Sequence, residues 1–252
     1  MSNGLFITGT DTDIGKTYVT ALLIKTLRQG GYDTGYYKAA ISGADSVAES
    51  DAGFVNRFAQ IGEPEDLLLS YLYKTAVSPH LAAQLEGNPV DLAVIHRDFQ
   101  KAAAHYPYLV MEGSGGIACP LRRDAKAHID LTDIIRLLEL PVLLVAKAGL
   151  GTLNHIVTTA AYCEKLGIPV KGVLLNHWQG GVLEDDNLKM IPAMTGVPVL
   201  AKSFYRSCIA GLRPQNPGSL LCVFGGEEHN GKILGTTGQG AHLAPCPANE
   251  GQ

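Results

Sequence analysis

GTDTDIGKT, residues 9–17, follows the short apolar run LFIT (5–8) and leads into a helical pattern that extends from Lys16 to Gln29. A buried strand, a glycine-bearing turn and Gly-Lys-Thr opening a helix present backbone N–H donors, a helix N-terminus and one ammonium to phosphate oxygens. The common phosphate-binding loop has about four residues between its first glycine and its Gly-Lys pair. Here five, Thr10 to Ile14, separate Gly9 from Gly15, and the helix-terminal part that binds phosphate, Gly15, Lys16 and Thr17, is retained. Thr17 then offers a hydroxyl to magnesium. Asp13 places a carboxylate inside the loop, which calls for a metal or a cationic substrate beside the phosphates.

Outward from this loop the chain alternates. Apolar runs recur at YLVME (108–112), PVLLVA (141–146), GVLLN (172–176) and VPVLA (197–201), each too short for a helix and apolar on consecutive positions. Such runs suit strands buried on both faces. Helical patterns occupy 16–29, 51–59, 92–104, 130–139, 154–166 and 184–195, several ending on glycine or proline as in KLGIP and TGVP. The expected architecture is α/β, with three layers: a mostly parallel central sheet flanked by helices on both sides. In such a sheet the ligand crevice lies at the carboxyl ends of the strands. Residues 8–17, 112–116, 147–154 and Asn176 with His177 all follow strand ends and are expected to converge there.

YYKAAISG (36–43) ends a further strand and sends Lys38 and Ser42 to the same edge. Lys16 and Lys38 together can flank a phosphoryl group and stabilise charge that develops as it is transferred. Asp51, at a helix start, serves either as a helix cap or as a metal ligand. Glu112 closes an apolar strand, where an unpaired carboxylate is costly to bury. With Thr17 these two acids form a candidate oxygen shell for magnesium.

Composition narrows the partner. The 252 residues are 46% apolar with a net charge of -4 and a pI near 6.0, and lysine and arginine form no cluster, so no nucleic-acid partner is expected and a small molecule is. No run approaches the roughly 20 apolar residues of a membrane span, and the first residues lack a basic-then-apolar leader, so no membrane association is expected and the chain reads as cytoplasmic. Five cysteines, at 119, 163, 208, 222 and 246, show no C-x-x-C pair and read as reduced thiols. Residues 1–203 form the expected domain. Residues 204–252 are rich in glycine and proline and read as an irregular tail, with SLLCVF (219–224) as a candidate strand.

Taken in order, these motifs resemble those of the dethiobiotin synthetases, ATP-dependent carboxylases of biotin synthesis. The loop matches the family's G-T-D-T-[ED]-x-G-K-T; KAAISG (38–43), SD (50–51), SPH (78–80), MEGSGG (111–116) and GTLNH (151–155) match five further motifs, over residues 4 to about 202. The resemblance implies a single P-loop α/β domain forming a homodimer, with 7,8-diaminopelargonic acid, CO2 or bicarbonate, and ATP as substrates and Mg2+ as cofactor. It implies carbamate formation on one substrate amine, activation by the ATP γ-phosphoryl group, and closure by the second amine to a cyclic urea. Lys16 and Lys38 are implied to hold the γ-phosphoryl and carbamate oxygens. The ATP site is implied over Asp13, Ile14, Gly15, Lys16, Thr17 and Tyr18, together with Asp51, Glu112, Gly113, Ser114, Gly115, Asn176 and His177. Thr17, Asp51 and Glu112 are implied magnesium ligands. Thr12, Ser42, Gly151 and Asn154 are implied substrate contacts, Gly151 and Asn154 through a segment reaching across the dimer interface toward the substrate carboxylate.

The chain departs from the family at three places. Ala39 replaces a proline after the lysine, Asn176-His177 stands for Asn-Asp at the adenine site, and the family's proline-bearing loop and closing helix find no match beyond Lys202. Two other functions compete. A septum-site or plasmid-partitioning ATPase switch carries a second lysine early in its loop, where this chain has Asp11. A small-molecule kinase leaves its phosphate on a stable product.

Overall fold

Continuous apolar runs build the middle of a parallel sheet because both of its faces are covered. The computed structural model describes residues 3–204 and 212–214. In chain order the elements are β1 (Asn3–Gly9), α1 (Lys16–Gln29), β2 (Thr34–Ser42), α2 (Asp51–Phe58), α3 (Glu65–Leu68), β3 (Leu69–Tyr73), α4 (Pro79–Leu85), α5 (Leu92–Ala103) and β4 (Tyr108–Gly116). There follow β5 (Pro120–Arg123), β6 (His128–Asp130), α6 (Leu131–Leu137), β7 (Val142–Lys147), α7 (Thr152–Lys165), β8 (Val170–Trp178), α8 (Val182–Thr195), β9 (Val199–Phe204) and β10 (Leu212–Pro214).

The main sheet has the order β10-β9-β8-β7-β1-β4-β2-β3. All its pairings are parallel except β10 against β9, and β5 and β6 form a separate antiparallel pair. The alternation of side chains along β1 divides the core. Leu5 and Ile7 pack with Val19, Leu22 and Leu23 of α1, whereas Phe6 joins the opposite cluster with Ile95 and Phe99 of α5 and Ile134 of α6. Leu5, Phe6 and Ile7 are fully buried, each worth roughly 1.5–3 kcal/mol against exposure. From β1 the chain moves to one side for β2, β3 and β4 and to the other for β7, β8 and β9. That reversal opens a crevice at the carboxyl end of β1.

Every strand and helix expected from the six helical patterns and the apolar runs is present, α1 with both ends as expected and the others with ends shifted. The helix expected from residue 130 starts at Leu131, because Asp130 and Asp133 form a capping box in front of it. The one expected from Asn154 starts at Thr152, behind Gly151 in left-handed conformation. The elements α3, β3, α4, β5, β6 and β10 were not anticipated, the last falling in the stretch read as an irregular tail. β3 is an edge strand whose residues alternate between half-buried and buried, so it lacks a continuous apolar run. The candidate strand at 219–224 and most of the tail lie outside the described residues.

Candidate active site

The loop from β1 to α1 is shaped by close approaches. A Cβ on Gly9 lies 2.6 Å from Ile14 Cδ1 and 2.9 Å from the Asp11 carbonyl oxygen, so only glycine fits. Asp13 (φ 53°) and Gly15 (φ 80°) are both left-handed, a conformation that a non-glycine residue adopts at a cost of order 1 kcal/mol or more. Gly15 is constrained twice over, since a Cβ there falls 2.3 Å from Asn176 Nδ2. Behind Gly15, α1 begins without a side-chain cap and without an acid in its first turn. Its leading N–H groups are left to an external anion.

Two neighbouring strands bring the charges together. Lys38 on β2 is in register with Glu112 on β4, so the two side chains share a face. Lys38 Nζ donates to Glu112 Oε1 at 2.9 Å and to Asp51 Oδ2 at 2.6 Å, bridging the carboxylates. Thr17 Oγ1 donates to Glu112 Oε1 at 2.7 Å. Lys38 and Glu112 are buried, while the Asp51 side chain is 49% exposed. Burial pulls the Lys38 ammonium down, but the Glu112 and Asp51 charges outweigh it and leave its pKa raised. For Asp51, burial pushes up, but the Lys38 charge, hydrogen bonds from Lys38 and Thr17 and the Lys16 charge together pull down further, so the acid stays ionised to lower pH. Burial lowers the Lys16 pKa, with Glu112 opposing.

These groups line a cleft of about 640 Å³, which also takes in Thr12, Asp13, Gly15, Ser42, Ser114, Gly115 and His177. Val77, Ser78 and Pro79 form one wall, a contribution signalled in the sequence by the SPH motif; Cys119, which carries no such signal, also lines the cleft. Ser42 Oγ donates to the Val77 carbonyl at 2.6 Å and Ser114 Oγ to the Ala40 carbonyl at 2.7 Å, tying the strand ends together.

Six expected site residues lie outside the cleft lining. The Ile14 side chain is in the core, Tyr18 stacks edge-on against Phe58, and Gly113 is packed against Leu131 and Phe6. Asn176 is 3% exposed. Its Nδ2 donates to the Ile14 carbonyl at 2.7 Å and its Oδ1 accepts from Ser203 Oγ, so its amide braces the loop from beneath. Gly151 and Asn154 head α7 on the exposed surface. Of the four groups expected to converge, residues 147–154 therefore stay apart from the cleft within one chain.

A phosphate-binding loop at the switch point of a parallel sheet, with a lysine and two acids beside it, defines a P-loop nucleotide-binding α/β domain. Its fold is shared with chloroplast FtsY from Physcomitrella patens (TM-score 0.52, 17% identity, 89% of this chain and 65% of that one). It is shared also with the signal recognition particle receptor FtsY from Elizabethkingia anophelis in complex with GDP (TM-score 0.51, 12% identity, 89% of this chain and 64% of that one). A family described as an AAA domain matches residues 3–203. Within that fold the sequence is 46% identical over 201 residues to the ATP-dependent dethiobiotin synthetase BioD of Brachyspira hyodysenteriae, covering 79% of this chain and 91% of the relative. It is 44% identical to the BioD of Clostridium kluyveri (80% and 86% covered) and 46% identical to that of Clostridium novyi (80% and 87%). The chain belongs to the ATP-dependent dethiobiotin synthetase family.

Proposed function

We propose that this chain is an ATP-dependent dethiobiotin synthetase of biotin biosynthesis, a ligase that forms carbon–nitrogen bonds. One amine of 7,8-diaminopelargonic acid adds to CO2 and loses a proton, giving a carbamate. A carbamate oxygen then attacks the γ-phosphorus and ADP leaves; the second amine attacks the carbamoyl carbon, loses a proton and expels phosphate, closing the cyclic urea. The observation that carries this reading is the Lys38–Asp51–Glu112–Thr17 cluster beside the uncapped start of α1.

The donor set fits magnesium, which takes oxygen ligands from one or two carboxylates alongside phosphate. An ammonium already bridges Asp51 and Glu112, so this pair is built to face a cation. Thr17, Asp51 and Glu112 would hold the ion, which would supply neutralisation of phosphate charge. The chain's own residues supply the rest. Lys16 and the N-terminus of α1 bind the nucleotide phosphates, and Lys38 neutralises the carbamate and γ-phosphoryl oxygens. Thr12 and Ser42 orient the diamine, and Asp13 stands between nucleotide and diamine. The substrate's amines are the nucleophiles, so the site needs to position reactants and neutralise charge.

A homodimer completes the substrate site in this reading. Gly151 and Asn154 lie away from the cleft of their own chain, and Leu150 beside them is 90% exposed. Among the described residues no helix is long and apolar enough to cross a membrane, and Cys119 and Cys163 are free thiols; both fit a cytoplasmic setting. Phosphate release from Mg-ATP tests the activity. Release only when the diamine and bicarbonate are both present is expected. Release with neither present supports the ATPase switch, and a phosphorylated diamine supports the kinase.

A further inference from the structure

Tyr36 lies among the core side chains of the α1 face, yet its hydroxyl reaches the charged cluster. It is fully buried, and its Oη donates to Glu112 Oε2 at 3.1 Å. The register explains the reach. On β2, Tyr36 stands two residues before Lys38 and so on the same face, in line with Val110 of β4, while Lys38 is in line with Glu112. The phenol therefore extends along the sheet to the far oxygen of the carboxylate. Thr17 and Lys38 both engage Oε1, whereas Tyr36 holds Oε2. The Tyr36 backbone is itself fixed, its N–H donating to Glu63 Oε2 at 3.3 Å.

We infer that Tyr36 is a positioning residue for the metal site: by holding Glu112 Oε2 it fixes the carboxylate's rotation so that Oε1 faces Thr17 and Asp51. This rests on the reading of Glu112 as a metal ligand. Hydrogen bonds to ligating carboxylates commonly alter metal affinity by about 10–100-fold.

The test is Mn2+ binding to the ADP-bound protein, followed by electron paramagnetic resonance, in wild type, Tyr36→Phe, Glu112→Gln and the double variant. ADP binding in EDTA is measured in parallel. Phenylalanine keeps the buried ring and removes only the donor. Tyr36→Phe is expected to weaken Mn2+ about tenfold with metal-free ADP affinity unchanged, and to add nothing in the Glu112→Gln background. Mn2+ affinity in Tyr36→Phe within twofold of wild type, or equal losses of Mn2+ and metal-free ADP binding, overturns the inference. Where Tyr36→Phe cannot be purified folded, Tyr36→Met decides in its place: it fills the core and removes the donor, so about tenfold weaker Mn2+ binding is expected, and Mn2+ affinity within twofold of wild type overturns the inference. Equal Mn2+ affinity in wild type and Glu112→Gln instead removes the metal-site reading beneath it.

Discussion

In the proposed mechanism Lys38 is the residue on which the chemistry turns: its ammonium would be needed where charge develops on the transferring phosphoryl group, whereas Lys16 and α1 would retain the nucleotide. Lys38→Gln is therefore expected to lower kcat by about 10²–10³-fold while ATP affinity stays within a few-fold, as read by steady-state rates alongside calorimetry. Unchanged turnover removes Lys38 from the mechanism. Glu63 gives a second prediction of a different kind. It is 4% exposed, its Oε1 has no partner among the described residues, and its pKa is raised to about 8 from 4.5. Burial dominates, against the Tyr36 N–H and Arg28, with Asp66 adding to the rise. Between those values the folded state holds a proton that the unfolded state has lost, so stability falls as pH rises from about 4.5 to 8. Glu63→Gln is expected to flatten that fall, gaining on the order of 2–4 kcal/mol at pH 8 relative to pH 5. Denaturation curves that shift in parallel at both values contradict it.

At the scale of elements, the loop from β1 to α1 depends on a strand far away in sequence. Asn176 at the end of β8 holds the Ile14 carbonyl, and Ser203 at the end of β9 holds Asn176. Ser203→Ala is expected to loosen this brace by about 1 kcal/mol, roughly fivefold in ATP affinity, with little change in kcat; unaltered ATP affinity refutes the bracing role. This arrangement also shows which elements the sequence reveals. The strands apolar on consecutive positions were legible because each is covered on both faces, and α1 was found with both ends correct because Gly15 and Gly30 bound it. β3, open on one edge, and the single turn α3 lack that signature. Lys16, Lys38, Glu112 and their neighbours were legible as polar residues directly after apolar runs. The engagement of Asn176 with the loop was not, since it pairs residues 162 positions apart, and Tyr36 carries no local mark that separates it from an ordinary core tyrosine.

For the whole molecule, the two most exposed large apolar side chains lie beside the segment that in the proposed reading serves a partner's cleft. Leu150 is 90% exposed and Val182 88%, at the heads of the packed helices α7 and α8, with Leu183, Met190 and Met194 also exposed along α8. Leu150→Glu is expected to convert a dimer to a monomer in light scattering and to raise the KM for the diamine more than that for ATP, because Gly151 and Asn154 would no longer face a partner's cleft. A dimer that persists with both KM values unchanged places the interface elsewhere. Formation of a cyclic urea by this P-loop domain can be read directly by mass spectrometry after incubation with Mg-ATP, 7,8-diaminopelargonic acid and carbon-13 bicarbonate. Dethiobiotin carrying the label in its ring carbonyl, formed in step with ADP, is expected. ADP and phosphate formed without any labelled urea contradict the proposed reaction.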